Sequence, residues 1–160
     1  MPTIHETIET DLEPDAAFDF VADFANAPVW DPGTATAQRI DDGPVDVGAR
    51  YRLGVRIRGR VAPMEYRIVV HEAPHRVVLE GEGSGVHARD DITFAPRGLG
   101  GGTRIDYVAE IHLTDWKRIL APLLGGAFAK IGRDARDGMR RALDELALDE
   151  RTRRVATVVG

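Results

Sequence analysis

Residues 50–60 read Arg50-Tyr-Arg-Leu-Gly-Val-Arg-Ile-Arg-Gly-Arg60, RYRLGVRIRGR. Tyr51, Leu53, Val55 and Ile57 alternate with Arg50, Arg52, Arg56 and Arg58, interrupted only by Gly54. Successive side chains of an extended backbone point to opposite faces, so this is a strand with one dry and one wet face. A sheet built from such strands needs a cover on one side only.

The chain on either side repeats the signal. PMEYRIVVHEAP, residues 63–74, sends Met64, Tyr66, Ile68 and Val70 to the dry side. HRVVLEGEG, GVHARDDITFAP and GTRIDYVAEIHL follow, separated by Ala73-Pro74, Gly83-Ser84-Gly85 and the glycine cluster from Gly98 to Gly102. Short strands divided by turn residues at hairpin spacing predict an antiparallel meander. Upstream, TIHETIETDL alternates Ile4, Ile8 and Leu12 with polar residues and gives a first strand, with Glu6 on its dry parity. DAAFDFVADF then carries Phe18, Val21, Ala22 and Ala25 at helical spacing behind Pro14, and Pro28 ends that helix by Ala27.

From Asp115 the period changes to helical. Trp116, Ile119, Leu120, Leu123, Ala127, Ile131, Ala135, Met139, Ala142 and Leu146 trace one stripe, with a kink expected at Pro122 and Gly125-Gly126. The end, DERTRRVATVVG, lacks a strong pattern and is expected to be a loose tail. The predicted fold is α+β: a curved antiparallel sheet of six to seven strands wrapped on a long C-terminal helix, with two short helices after the first strand. Residues 1–148 are expected to form one domain and 149–160 a loosely ordered tail.

At 160 residues, with 43% hydrophobic and 29% charged, the composition is that of one globular domain. Cysteine is absent, which excludes disulfides and thiolate chemistry. A formal charge of −5 speaks against general nucleic-acid binding, and no apolar run is long enough to insert in a membrane. The N-terminus carries acids where a secretory leader carries a basic patch, so a cytoplasmic location is expected. Up to Asp46 the chain holds eleven acids and one arginine, and residues 47–104 hold ten arginines and six acids. The two stretches are expected to lie together and neutralise each other.

Three motifs are decoys. HEAPH, residues 71–75, matches the zinc-protease HExxH pattern, but Pro74 forbids the helix that would bring both imidazoles to one side. It is expected to be a turn with two exposed histidines. His5, His87 and His112 fall on the wet parity of three strands, where two could be cross-strand neighbours, and no metal site is expected from them. GLGGGT is followed by a strand, not a helix, and reads as a hairpin loop, not a phosphate cradle.

FDFVADFANAPVWDP after the first strand, with RDDITFAP and GGGTRIDY near the end of the sheet, resembles the START-related superfamily that includes polyketide cyclase/dehydrase-like and lipid-transfer proteins. The resemblance runs from Ile4 to about Leu146. It implies a helix-grip fold with an internal apolar cavity for a hydrophobic small-molecule ligand, which makes residues 1–148 a helix-grip ligand-binding domain; no cofactor is expected. A curved sheet diverging from a straight helix also leaves a wedge that Ala88, Ala109 and Ala127 are too small to fill, and voids destabilise unless occupied. Closure of the core by Phe94, Tyr107, Phe128 and Met139 is the opposing expectation.

The expected pocket lining is Trp30, Tyr51, Leu53, Val55, Met64, Tyr66, Ile92, Phe94, Tyr107, Leu124, Phe128 and Ile131. Asp90 and Glu6 are the candidate acid/base groups, because a carboxyl in an apolar cavity has its pKa raised toward neutrality. Asp90 is preferred to Asp91 because Ile92 and Phe94 share its parity. Trp30, held between Pro28 and Pro32, is expected to close the cavity mouth and to let its indole N–H reach solvent or ligand. Three functions follow: a carrier for an apolar or aromatic metabolite; a cyclase or dehydratase using the same pocket; and a protein-docking module using the outward arginines, as some relatives act on chaperones. The protein is expected to be a monomer or homodimer.

Overall fold

A computed structural model of the chain describes residues 3–57, 59–114 and 125–159. β1 (Thr3–Thr10) leads into α1 (Pro14–Ala22), a 3-10 turn (Phe24–Asn26) and the one-turn α2 (Ala27–Trp30). The chain then runs through β2 (Thr34–Arg39), β3 (Arg50–Ile57), β4 (Arg60–Glu72), β5 (Arg76–Gly83), β6 (Val86–Pro96) and β7 (Thr103–Leu113), and α3 (Gly125–Val159) closes the order.

The seven strands form one antiparallel sheet in the order β1-β7-β6-β5-β4-β3-β2. Strands β2 to β7 are sequential neighbours, and only the link from β1 to β2, carrying the short helices, crosses to the far edge. Of the residues read as dry, Tyr51, Leu53, Met64, Tyr66, Ile68, Ile92 and Phe94 lie in the core, joined there by Val77, Leu79 and Ile105; Val55 and Val70 are only partly buried, and Ile57, at the end of β3, is 38% exposed. Phe18, Val21 and Phe24 from the β1–β2 link, with Ala135, Met139, Ala142 and Leu143 from α3, complete it.

How α3 lies on the sheet follows from its contacts with β1. A methyl group on Gly132 would strike the side chains of Ile4 and Glu6. Four residues on, Arg136 Nη1 donates to Glu6 Oε2 at 3.2 Å, and Thr10 Oγ1 donates to Asp144 Oδ1 at 2.8 Å. Strands advance about 3.3 Å and helices about 1.5 Å per residue. The four residues from Glu6 to Thr10 therefore span about the same distance as the eight from Arg136 to Asp144. The helix runs beside β1 in the same direction, in step with it. At Gly138 it also touches the backbone carbonyl of Trp30 and the ring of Pro32, so α2 is clamped between helix and sheet.

Several expectations change. Ile131 is 44% exposed and Ala127 is also exposed, because the close approach of Gly132 to β1 rotates the buried stripe onto Ala135, Met139, Ala142 and Leu143. The expected loose tail is helical to Val159, with exposed side chains and an ion pair from Arg151 to Asp11 at 2.9 Å. Charge neutralisation is mostly local to the arginine-rich stretch: Arg50 pairs with Glu65, Arg76 with Asp91 and Arg89 with Glu80. Arg97 with Asp11 is the ion pair that joins it to the acidic stretch among the described arginines. HEAPH is the β4–β5 turn, but His71 is half-buried with its ring edge-on to Phe18 at 5.1 Å. Trp116, Ile119, Leu120, Pro122, Leu123 and Leu124 lie outside the described residues. No helix among the described residues is long and apolar enough to cross a membrane.

Candidate functional site

Polar groups meet in the interior where β4, β6, β7 and α2 converge. Asp90 is on the buried parity of β6 and is 5% exposed. The register through Asp90 and Asp91 is continuous on both sides, so no bulge exchanges them, and Asp91 faces out to Arg76 at 2.7 Å. Tyr107 on β7 stands opposite Ile92, and its hydroxyl donates to Asp90 Oδ1 at 2.5 Å. Burial pushes the Asp90 carboxyl up to about 7; the Tyr107 hydrogen bond opposes the rise and the charge of Asp31 adds to it. Tyr66 and Tyr107 are raised well above the ordinary phenol range, by burial first and then by the neighbouring charge of Asp90.

Trp30 is 2% exposed, with its ring edge-on to Phe24 at 6.0 Å and to Tyr107 at 6.1 Å. Of the expected outlets for its indole N–H, solvent or ligand, solvent is closed off: the group is buried and has no hydrogen-bond partner among the described residues. The backbone explains the position, since α2 is held down on Gly138 and carries the ring between helix and sheet. Among the described residues, the Tyr51 hydroxyl is the second buried polar side-chain group without a hydrogen bond. Burial raises the pKa of Tyr51 and the charge of Asp23 raises it further, although the hydroxyl makes no bond of ordinary geometry to that carboxylate. An orphaned buried polar group destabilises by about 1–3 kcal/mol, so two in one core are notable.

Asp31 was not singled out from the sequence, although it lies beside Trp30. Its carboxylate accepts from the Gly33 N–H at 2.8 Å and from Thr34 Oγ1 at 2.7 Å, turning the chain from α2 into β2. Burial raises its pKa, the two hydrogen bonds lower it, and the charge of Asp134 adds to the rise. An acid followed by Pro-Gly-Thr at the end of a helix is a turn signal, and that bland reading conceals a second inward carboxyl. Glu6 has the inward parity expected of it and stands opposite Tyr107 in register, yet it is the ion-pair partner of Arg136. Unlike Asp90, its carboxylate is held by a guanidinium and ties the sheet to α3.

Of the expected lining, Leu53, Met64, Ile92 and Phe94 are buried in one cluster with Trp30, Tyr51 and Tyr66, while Val55 and Tyr107 are partly buried against it. Phe128 is half-buried. Val86 and Ala88 continue the inward face of β6 beyond Asp90 and are also only partly covered. The interior therefore combines one carboxyl, two phenols and one indole N–H with the apolar side chains of Val55, Met64, Val86 and Ala88.

The first 148 residues match the family model for polyketide cyclase / dehydrase and lipid transport. The chain belongs to this family. A START superfamily protein from Mycobacterium smegmatis has the same fold, with a TM-score of 0.66 at 17% identity over 89% of this chain and 94% of that one. A Thermus thermophilus protein is similar at a TM-score of 0.70 and 13% identity, covering 89% of this chain and 97% of that one. The di-domain ARO/CYC BexL from the BE-7585A biosynthetic pathway matches at 0.68 and 16% identity, over 90% of this chain and 47% of BexL. No curated protein matches the chain significantly. The START-like helix-grip fold is thus shared, and the inward positions are where members of one family can differ in ligand.

Proposed function

We propose that this family member binds a hydrophobic small molecule, such as a lipid, polyketide or aromatic metabolite, between the sheet and α3, as a cytoplasmic carrier or sequestering protein. The supporting observation is the polar set Asp90, Tyr107 and Trp30 within a largely apolar surround: among the described residues, a desolvated carboxyl hydrogen-bonded to one phenol, and an indole N–H with no partner. A ligand with an apolar body and one carbonyl or hydroxyl end would satisfy both. Glu6 has no part in this reading, because Arg136 already holds it.

The pKa of Asp90, near 7, favours a second reading in the same site. A carboxyl that is half-protonated at neutral pH can take a proton from carbon alpha to a carbonyl and return one to a departing hydroxyl, as aldol cyclisation and dehydration require. Tyr107 would hold the carboxyl in place, and the Trp30 N–H would polarise the carbonyl.

Native mass spectrometry of the purified chain against fatty acids, sterols and polyphenols tests the binding reading. A ligand should bind one to a chain, and Asp90→Asn or Tyr107→Phe should weaken it about tenfold, the value of one hydrogen bond. Failure of the whole panel, or equal binding by both variants, would overturn the reading. If a bound compound is also converted, kcat/KM should change through pH 7 and lose that inflection in Asp90→Asn.

A further inference from the structure

The wet face of the sheet carries a row of side chains that the interior site does not use. Reading straight across four strands, Glu65 on β4 stands opposite Glu82 on β5, Glu82 opposite His87 on β6, and His87 opposite His112 on β7. All four are accessible, with His87 57% and His112 40% exposed at the side chain. Directly opposed residues on one face of an antiparallel pair have their Cβ atoms about 4.5–5.5 Å apart.

Two carboxylates placed opposite each other repel. Glu65 is relieved by Arg50 at 3.2 Å, and among the described residues Glu82 pairs with the His87 imidazole at 3.3 Å, a cation only when protonated. Glu65, Glu82 and His87 also line two adjoining surface hollows, one of them edged by Gly83 and Gly85. The row offers imidazole nitrogens and carboxylate oxygens, donor types that bind first-row divalent ions.

We infer that His87 and His112, with Glu82 as third ligand, form a surface site for a zinc-type divalent transition-metal ion. Opposed imidazoles on neighbouring strands can chelate one ion with the strand backbones fixing their separation, and the Glu82 carboxylate beside His87 supplies charge. No three such groups among the described residues converge as they stand. The side chains are exposed, so they close on the ion by rotating about their χ angles. Imidazole nitrogen selects zinc, nickel and copper over magnesium and calcium, which prefer all-oxygen shells.

Zinc titrated into the chelator-stripped chain at pH 7.5, followed by calorimetry and imidazole NMR, tests the site. One ion per chain should bind, with the His87 and His112 resonances shifting together. His87→Ala and His112→Ala should each weaken binding at least about tenfold, because each breaks the two-imidazole chelate and leaves one imidazole with the Glu82 carboxylate. His5→Ala and His75→Ala should leave the affinity unchanged, and magnesium should not compete. All four variants lie on the surface, and equal unfolding temperatures in chelator exclude a folding artefact. Absence of saturable binding at millimolar zinc, or binding that survives both the His87 and His112 changes, would overturn the assignment.

Discussion

Ionising Asp90 means placing a charge where water cannot follow, and its stability record should show it. Its pKa is about 7 in the folded chain against the ordinary 3.8, so the folded state holds a proton that the unfolded state has released. Stability from this group is therefore lost as pH rises from about 4 to 7, and the full penalty, on the order of 4 kcal/mol, stands above pH 7. Asp90→Asn keeps an acceptor for the Tyr107 hydroxyl and removes the charge. It should be more stable than the parent at pH 8, with the difference shrinking toward pH 4; urea unfolding across that range measures both. A group that destabilises its own fold is the kind a binding or catalytic site retains. Trp30→Ala should cost about 3–5 kcal/mol, since it empties a ring-sized volume in the core, whereas Trp30→Phe should cost less and remove the orphaned N–H. At this scale, period-two parity carried the reading well: it selected Asp90 over Asp91. It could not see Asp31, whose direction is set by an Asp-turn, or the pairing of Glu6 with Arg136, a contact 130 residues apart in sequence.

The long helix is positioned by glycines as much as by its apolar stripe. Gly138 faces the Trp30 carbonyl and Gly132 the Ile4 and Glu6 side chains, while Gly126 meets open space. Alanine at 132 or 138 should push helix from sheet and destabilise by about 1–3 kcal/mol. Alanine at 126 should be neutral or stabilise by up to about 1 kcal/mol through helix propensity alone. Thermal unfolding of the three variants checks the opposite signs. The sequence stripe through Ala127 and Ile131 was displaced for the same reason: a smooth 3.6-residue period counts Gly132 as a gap, whereas close packing makes it the contact. The helical end from Asp149 to Val159 was missed because, with its side chains exposed, burial imposes no periodic pattern there.

Across the whole molecule the two faces of one sheet divide the work. Alternation places Tyr66, Asp90 and Ile92 inside and Glu65, Glu82, His87 and His112 outside, so the strands that shape the interior also set the outer row in register. Fold class and the meander from β3 to β7 were legible because each strand and turn signal agreed with its neighbours, whereas the pairing of β1 with β7 joins the two ends of the sheet's sequence and leaves no local signal. Register was not, because it depends on which residues pair across turns, and the outer row is visible only once register is known. Proteins at this level of identity share the fold, so ligand choice must come from the side chains facing inward. The most direct test is an NMR titration of the intact chain with a ligand from the panel, following the Trp30 indole N–H and the Asp90 carboxyl carbon together. Both signals should move and saturate at the same concentration. Saturable binding that leaves both unmoved would contradict an interior site organised around Asp90.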